Sequence, residues 1–405
     1  MNLRTTVLSG FFATSLLLAG CAQDSAPEAP RDLPAARTAP PEAANTNNTN
    51  AFEPLELSTE YHQIRVSKVA GDLEHPWAVA FLPDGGFLVT ERPGRLNRIS
   101  ADGMRTRLDG VPAVTAAGQG GLLDVVLHPD YADNGWIYLT YSSGDDAETT
   151  TKVARARIDG DQLVDLEELF SQDRLSQPGR HYGSRIAWRA DGTMLVSIGD
   201  RGAEPPRAQD PADHAGTLLR LNADGSIPDD NPFIGDDDVL PEVFSYGHRN
   251  IQGLVVDPAT DKIWATEHGP RGGDELNLVV AGNNYGWPSA GLGRDYRTEE
   301  QYGEARTLPG KIDPVYEFLP TLAPSGLALL TTDTFPRWQG NLLAGGLRAE
   351  RIRRLVIEND IVVHDEELLT GKVGRIRDVR EGPDGAIYVL TDHEDGGLYR
   401  IDRVN

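Results

Sequence analysis

His181 and Asp200 stand at the two ends of one short hairpin, the first in GRHYGSR (179–185) and the second in SIGDRG (197–202). Of nine histidines, His181 is the one flanked by glycine and aromatic neighbours immediately before an apolar strand. Asp200 ends the partner strand, so its carboxylate returns beside the ring. A carboxylate holding one ring nitrogen leaves the other free to take a proton near neutral pH. The pair reads as a general base with its orienting group.

Four loops occupy the same place before an apolar strand. AAGQGG (116–121) carries Gln119, GRHYGSR carries His181, YGHRNIQG (246–253) carries Arg249 and Asn250, and KVGRIRD (372–378) carries Arg375 and Arg377. One polar residue before a strand is ordinarily a solvated loop residue. Four in equivalent places make a cationic, glycine-lined mouth if the strands surround an axis, and Arg348 in GGLRAER (345–351) adds to it. Arginines in that number suit a ligand bearing several carboxylates or phosphates, through paired hydrogen bonds.

A third feature is TEHGPRGGDELNLVVAGNNYGWP (266–288), with three carboxylates, five glycines and two prolines. Asp274 and Glu275 offer hard oxygen ligands, and the turns free backbone carbonyls, the donor set that calcium prefers. The plainer alternative is an acidic loop solvated by water.

The elements that must position these residues are legible as a repeat. Apolar alternation, an Asp/Gly/Pro turn and a second alternation recur at 77–92, 121–142, 184–202, 252–269, 325–346 and 377–392. Each copy predicts a β-hairpin. The turn residues Asp84, Asp130, Asp191, Asp257, Asp333 and Asp384 lie about 60 residues apart on average, which leaves room for two more strands per copy. The expectation is an all-β fold, a six-bladed β-propeller of four-stranded antiparallel sheets spanning 56–405. HQIRVSKVAG (62–71) and GGLYRIDRV (396–404) are strands lacking partners and can pair to seal the ring. A pair of β-sandwiches would need a composition break in mid-chain, and none is visible.

Residues 1–21, MNLRTTVLSGFFATSLLLAGC, have a basic start, an apolar run too short to span a bilayer and small residues before a cysteine. They read as an export signal whose end resembles a lipobox, with Cys21 the lipidated residue; the alternative is an ordinary cleaved signal. Residues 22–55 are rich in Ala, Pro and Asn and read as a flexible tether. The expected location is the periplasm, with an outer-membrane lipid anchor at Cys21 as the sole membrane contact. Cys21 is the only cysteine, so internal disulfides and thiolate chemistry are excluded. A formal charge of -24 argues against nucleic acid.

There is no G-x-S-x-G elbow, P-loop, H-E-x-x-H or dinucleotide fingerprint. GRHYGSR, IPDDNPF (227–233), SYGHRNIQG (245–253), EHGPRGGDELN (267–277), NNYGWP (283–288) and RIRDVREGPDG (375–385) together resemble the soluble aldose sugar dehydrogenases that use pyrroloquinoline quinone (PQQ), relatives of soluble glucose dehydrogenase. That resemblance implies a six-bladed propeller with the quinone at the channel face and Ca2+ beside it, an aldose substrate oxidised at C1 to a lactone, and an external electron acceptor. His181 resembles the family's base, Asp200 its orienting carboxylate, and Arg249 the group that stabilises developing oxygen charge. Gln119, Arg249, Asn250, Arg375 and Arg377 resemble the groups that hold the quinone, with His181 beside it, while Arg348, also expected at the cofactor, stands where the glucose-oxidising relative has lysine. The carbonyls of Gly269 and Pro270 resemble ligands of the calcium at the cofactor, and Glu275 and Tyr285 ligands of a second, structural calcium. Leu319 replaces a tryptophan that flanks the sugar, and Tyr316 keeps an aromatic position nearby, so the sugar platform is altered.

Two other function classes are compatible with a propeller: a ligand-binding protein without turnover, in which His181 is a loop residue, and a calcium-dependent lactonase, which would surround its channel with carboxylates rather than arginines.

Overall fold

The computed structural model describes residues 52–404. The leader, Cys21 and nearly all of the tether therefore lie outside the described residues. Apart from two short helical turns, Tyr131–Asn134 and Pro205–Gln209, the regular structure is β-strand. Five sheets have four strands and one has five. The first strand of each repeat is an edge strand of its sheet: Pro76–Phe81, Leu122–Leu127, Ile186–Trp188, Ile251–Val256, Pro324–Leu329 and Ile376–Glu381. Each of these touches the next and the last touches the first, which closes a six-bladed propeller.

These strands are almost continuously apolar or buried because blades pack against both of their faces. The core is accordingly divided into six wedges, one between each pair of neighbouring blades. In the first wedge Trp77, Leu88 and Leu96 meet Leu122, Val125 and Leu139. Fully burying each such side chain contributes about 1.5–3 kcal/mol.

All six hairpins are present. Asp84, Asp191, Asp257 and Asp384 each accept a hydrogen bond from the backbone N–H two residues on, at 2.9–3.2 Å, the contact that makes aspartate a turn residue. The chain ends meet as expected: Gln63–Leu73 pairs with Gly396–Val404, Gln63 facing Val404. Leu55–Ser58 adds beyond it as a fifth strand.

The axis is filled by charge. Arg185 lies 3.0 Å from Asp378 and 3.6 Å from Asp124; Arg380 lies 2.9 Å from Asp124 and 3.0 Å from Asp378. Burial pushes the Asp124 carboxyl up, and the flanking guanidiniums of Arg380 and Arg185 work against that rise. Backbone N–H groups of Ile186 and Val79 donate to Asp124 and Asp378 respectively. This network floors the mouth above it.

Candidate active site

Five of the six first strands open with a break in register, between Pro76 and Val79, Leu122 and Val125, Ile251 and Gly253, Pro324 and Leu327, and Ile376 and Asp378. A bulge re-aims the residue it adds. Here the bulged residues Trp77, Leu123, Gln252 and Arg377 all line one cavity, with Gln119, Tyr182, Asn250 and His268.

His181 precedes the lining residue Tyr182 in a left-handed conformation, with φ of 56°. Its neighbours hold it there. Gln119 Oε1 accepts from its backbone N–H at 2.9 Å, and Arg201 donates to its carbonyl at 3.2 Å. A Cβ on Gly199 would come within 2.1 Å of that carbonyl oxygen, so only glycine lets the two loops approach. The ring Nδ1 lies 2.6 Å from Asp200 Oδ1. Since a carboxylate accepts, Nδ1 carries the proton and Nε2 is left as the base.

Burial first, and then the charge of Arg249, hold the imidazole below its ordinary value despite Asp200. Burial opposes ionisation of Asp200, but His181, Arg249 and an N–H from Trp287 outweigh it and its carboxyl titrates below the usual range. At neutral pH the pair is thus a neutral imidazole against a carboxylate. His268, on the same cavity, is pushed down to about 4, chiefly by burial.

The predicted arginines occupy separate settings: Arg377 lines the first cavity, Arg249 lines a second, and Arg375 and Arg348 line neither. Arg377 is buried, donating to Gln252 at 3.1 Å and to Asp392 at 3.0 Å; Arg375 reaches the same carboxylate oxygen at 3.2 Å. Arg249 donates to the His268 carbonyl at 3.2 Å. Buried Nε atoms of Arg92, Arg249 and Arg377 have no hydrogen-bond partner. Arg348 is exposed and has no ion pair among the described residues. Asn250, expected to hold a cofactor, accepts from the Gly183 N–H at 3.1 Å, so like Gln119 it also fastens the histidine loop.

The calcium expectation divides. Gly269, Pro270, Glu275 and Tyr285 line a second cavity, beside Arg249 and Trp287. Asp274 does not serve it: its oxygens accept from Gly269 N–H at 3.1 Å, from Leu322 and Ala323 N–H at 2.9 and 2.7 Å, and from the Thr321 hydroxyl. It is a loop organiser, a correction to the expected ligand set. The Tyr285 hydroxyl is likewise engaged, donating to Leu278 O at 2.8 Å and accepting from Val280 N–H at 2.9 Å, which leaves its carbonyl as the group that could meet a cation.

Tyr316 is a second correction. It lies on an outer strand, its hydroxyl 3.1 Å from Arg353 and its ring edge-on to Phe318, so it packs between blades. Leu319 lies in the following loop and is 64% exposed.

The sequence profile of the Glucose / Sorbosone dehydrogenase family matches residues 73–400. This chain belongs to that family. It is 42% identical over 346 residues to the aldose sugar dehydrogenase YliI of Escherichia coli, covering 84% of this chain and 92% of that protein. The crystal structure of the soluble aldose sugar dehydrogenase from Escherichia coli in the apo-form superposes with a TM-score of 0.81 at 40% identity, over 84% of this chain and 100% of that one. The PQQ-bound form of aldose sugar dehydrogenase from Streptomyces coelicolor gives 0.70 at 30% identity, over 84% of this chain and 98% of that one.

The residues at hand fit both groups that this glucose/sorbosone dehydrogenase fold implies. For the quinone, the fit lies in several guanidiniums with unused buried N–H groups. For calcium it lies in a carboxylate that lacks a counter-charge: Glu275 pairs in register with Glu267 on one side and Glu317 on the other, and burial together with Glu267 holds it well above the usual range. Carbonyls of Gly272 and Gly273 also crowd Gly269, whose Cβ would meet each at 2.2 Å. Among the described residues no cluster of three His, Cys, Asp or Glu side chains forms a metal site; any cation would rely on carbonyls.

Sequence reasoning missed Asp392, Arg201 and Trp287. Asp392 was findable, because it ends the second strand of its repeat as Asp200 does. Glu91 and Glu267 hold the same place, and all four acids are buried.

Proposed function

We propose that this protein is a quinoprotein dehydrogenase that oxidises the C1 hydroxyl of an aldose to a lactone and passes the electrons to an external acceptor. The observation that carries the reading is the His181–Asp200 pair, with the Arg249 charge acting on both groups. His181 Nε2 removes the proton of the anomeric hydroxyl; Asp200 keeps Nδ1 protonated and stabilises the imidazolium that results. Arg249, Arg348, Arg375 and Arg377 would bind the anionic cofactor, with Gln119 and Asn250, and Arg249 would stabilise the oxygen charge that develops. Pyrroloquinoline quinone supplies the two-electron acceptor for the C1 hydrogen, which calcium on the Gly269 and Pro270 carbonyls would polarise. The exposed Leu319 in place of a flat aromatic ring supports a sugar preference distinct from glucose.

A lactonase is disfavoured because the axial carboxylates Asp124 and Asp378 are already paired with arginines. We further propose periplasmic location on a lipid tether at Cys21, testable by radiolabelled palmitate incorporation that disappears in Cys21→Ser.

The test is dye-linked oxidation of an aldose panel, with quinone and calcium added separately and together. Turnover is expected only with both, and His181→Ala should abolish it while the quinone absorbance still titrates onto the protein. Absence of quinone binding to the wild type would overturn the proposal.

A further inference from the structure

Trp287 belongs to NNYGWP and its side chain is buried. Its indole Nε1–H donates to Asp200 Oδ2 at 2.7 Å. That is the oxygen left over by His181 and by the Gly202 N–H, which both use Oδ1. The indole is itself held in place: Tyr302 stacks on it at 4.7 Å with 16° between planes, and the Arg249 guanidinium lies 5.2 Å from its centre. An indole N–H can only donate. The hydrogen bonds therefore run in one direction, with Asp200 accepting from Trp287 on one oxygen and from His181 on the other.

We propose that Trp287 is a positioning residue for the reaction, its N–H fixing the second carboxylate oxygen of Asp200 and so orienting His181 with Nε2 as the free base. The inference rests on the reading of His181 as the base. It has a physical consequence beyond packing. A carboxylate whose charge is shared by two donors attracts the imidazolium less than one whose second oxygen is buried and bare. The remaining groups facing the pair are Arg249, Arg180, Arg201, His268 and Tyr302, and Trp287→Phe changes the charge of none of them.

Trp287→Phe keeps an aromatic ring in the stack and removes the donor. In apoprotein carrying 15N-labelled histidine, NMR should find the His181 titration midpoint raised by about one pH unit. With quinone bound, kcat should fall about tenfold with KM within about twofold, and the acid limb of the rate profile should move with the NMR midpoint. Tyr302→Ala, which retains the N–H, should leave that midpoint in place. An unmoved midpoint in folded Trp287→Phe overturns the inference. Because that midpoint is read without quinone, a shifted His181 in a protein lacking turnover would instead discredit the proposed activity alone. If the variant does not fold, the wild-type Trp287 indole proton decides: it should resonate downfield of free indoles and follow the His181 titration, and a free-indole position insensitive to pH overturns the inference.

Discussion

Arg201 donates to the carbonyl oxygen of His181 at 3.2 Å while the adjacent Asp200 holds the ring of the same histidine at 2.6 Å. One dipeptide thus grips both ends of the base. Arg201 is 1% exposed, donates also to the Arg180 carbonyl and the Thr149 hydroxyl, and lies 3.5 Å from the centre of the Tyr182 ring.

Arg201→Lys keeps the charge and loses the fork that reaches the Arg180 and His181 carbonyls through one nitrogen and the Thr149 hydroxyl through the other. Misplacing a base by a fraction of an ångström costs roughly 10–100-fold in rate, so kcat should fall by that much with KM nearly constant. Steady-state kinetics on the folded variant provides the check, and an unchanged kcat would remove Arg201 from this role.

Arg249→Gln tests the electrostatics of the base. His181 must be neutral to act, so activity is lost as pH falls through its folded value, which burial and Arg249 hold below the ordinary one. Removing the guanidinium should move the acid limb of kcat/KM upward by about one pH unit. A limb that stays put would mean that Arg249 does not sense the ring.

Glu275 offers a test of the proposed calcium. Its folded carboxyl is held above the unfolded value by burial and Glu267, so the stability it contributes is present at low pH and lost as pH rises through the folded value. The calcium-free protein should therefore melt at lower temperature as pH rises from the ordinary carboxylate range toward neutrality. Calcium should restore the melting point and release protons. In Glu275→Gln both the pH slope and the calcium response should shrink, which differential scanning fluorimetry with and without chelator can read.

The axial network predicts a stability effect remote from chemistry. Asp378→Asn leaves Arg185 and Arg380 sharing one carboxylate, and breaking a buried ion pair costs about 3–5 kcal/mol. Combining it with Arg185→Met should cost less than the sum of the two single changes. Urea melts of the four proteins give the coupling, and strict additivity would show that the charges act separately.

The repeat was legible because the first two strands of every blade are buried on both faces and joined by a turn that needs aspartate or glycine. His181 and Asp200 followed from it, since a hairpin must return its ends to one place. The outer strands were not legible in the same way: Tyr316 lies on a strand of two residues, too short for any period, and its aromatic ring read as a sugar platform when it is a wedge between blades. Asp274 was misjudged because composition cannot distinguish a carboxylate that awaits a cation from one already surrounded by the N–H groups of Leu322 and Ala323. Trp287 escaped because its partner Asp200 lies on another blade, and only the closed ring brings them together.

The seam where Gln63 faces Val404 makes Gly396–Val404, the last described strand, the latch of Gln63–Leu73. During synthesis the strand Gln63–Leu73 can pair with Leu55–Ser58 on one edge, but its other edge stays bare until Gly396–Val404 has been made, and the wedge formed by Leu73, Val79, Tyr388 and Leu398 stays open for as long. Completion of the ring should therefore be a late, cooperative event, and a chain cut short within Gly396–Val404 should emerge with an unsealed blade that invites pairing with another molecule. A tag fused just after Val404 sits directly against that latch, whereas one placed before residue 52 lies ahead of every described strand.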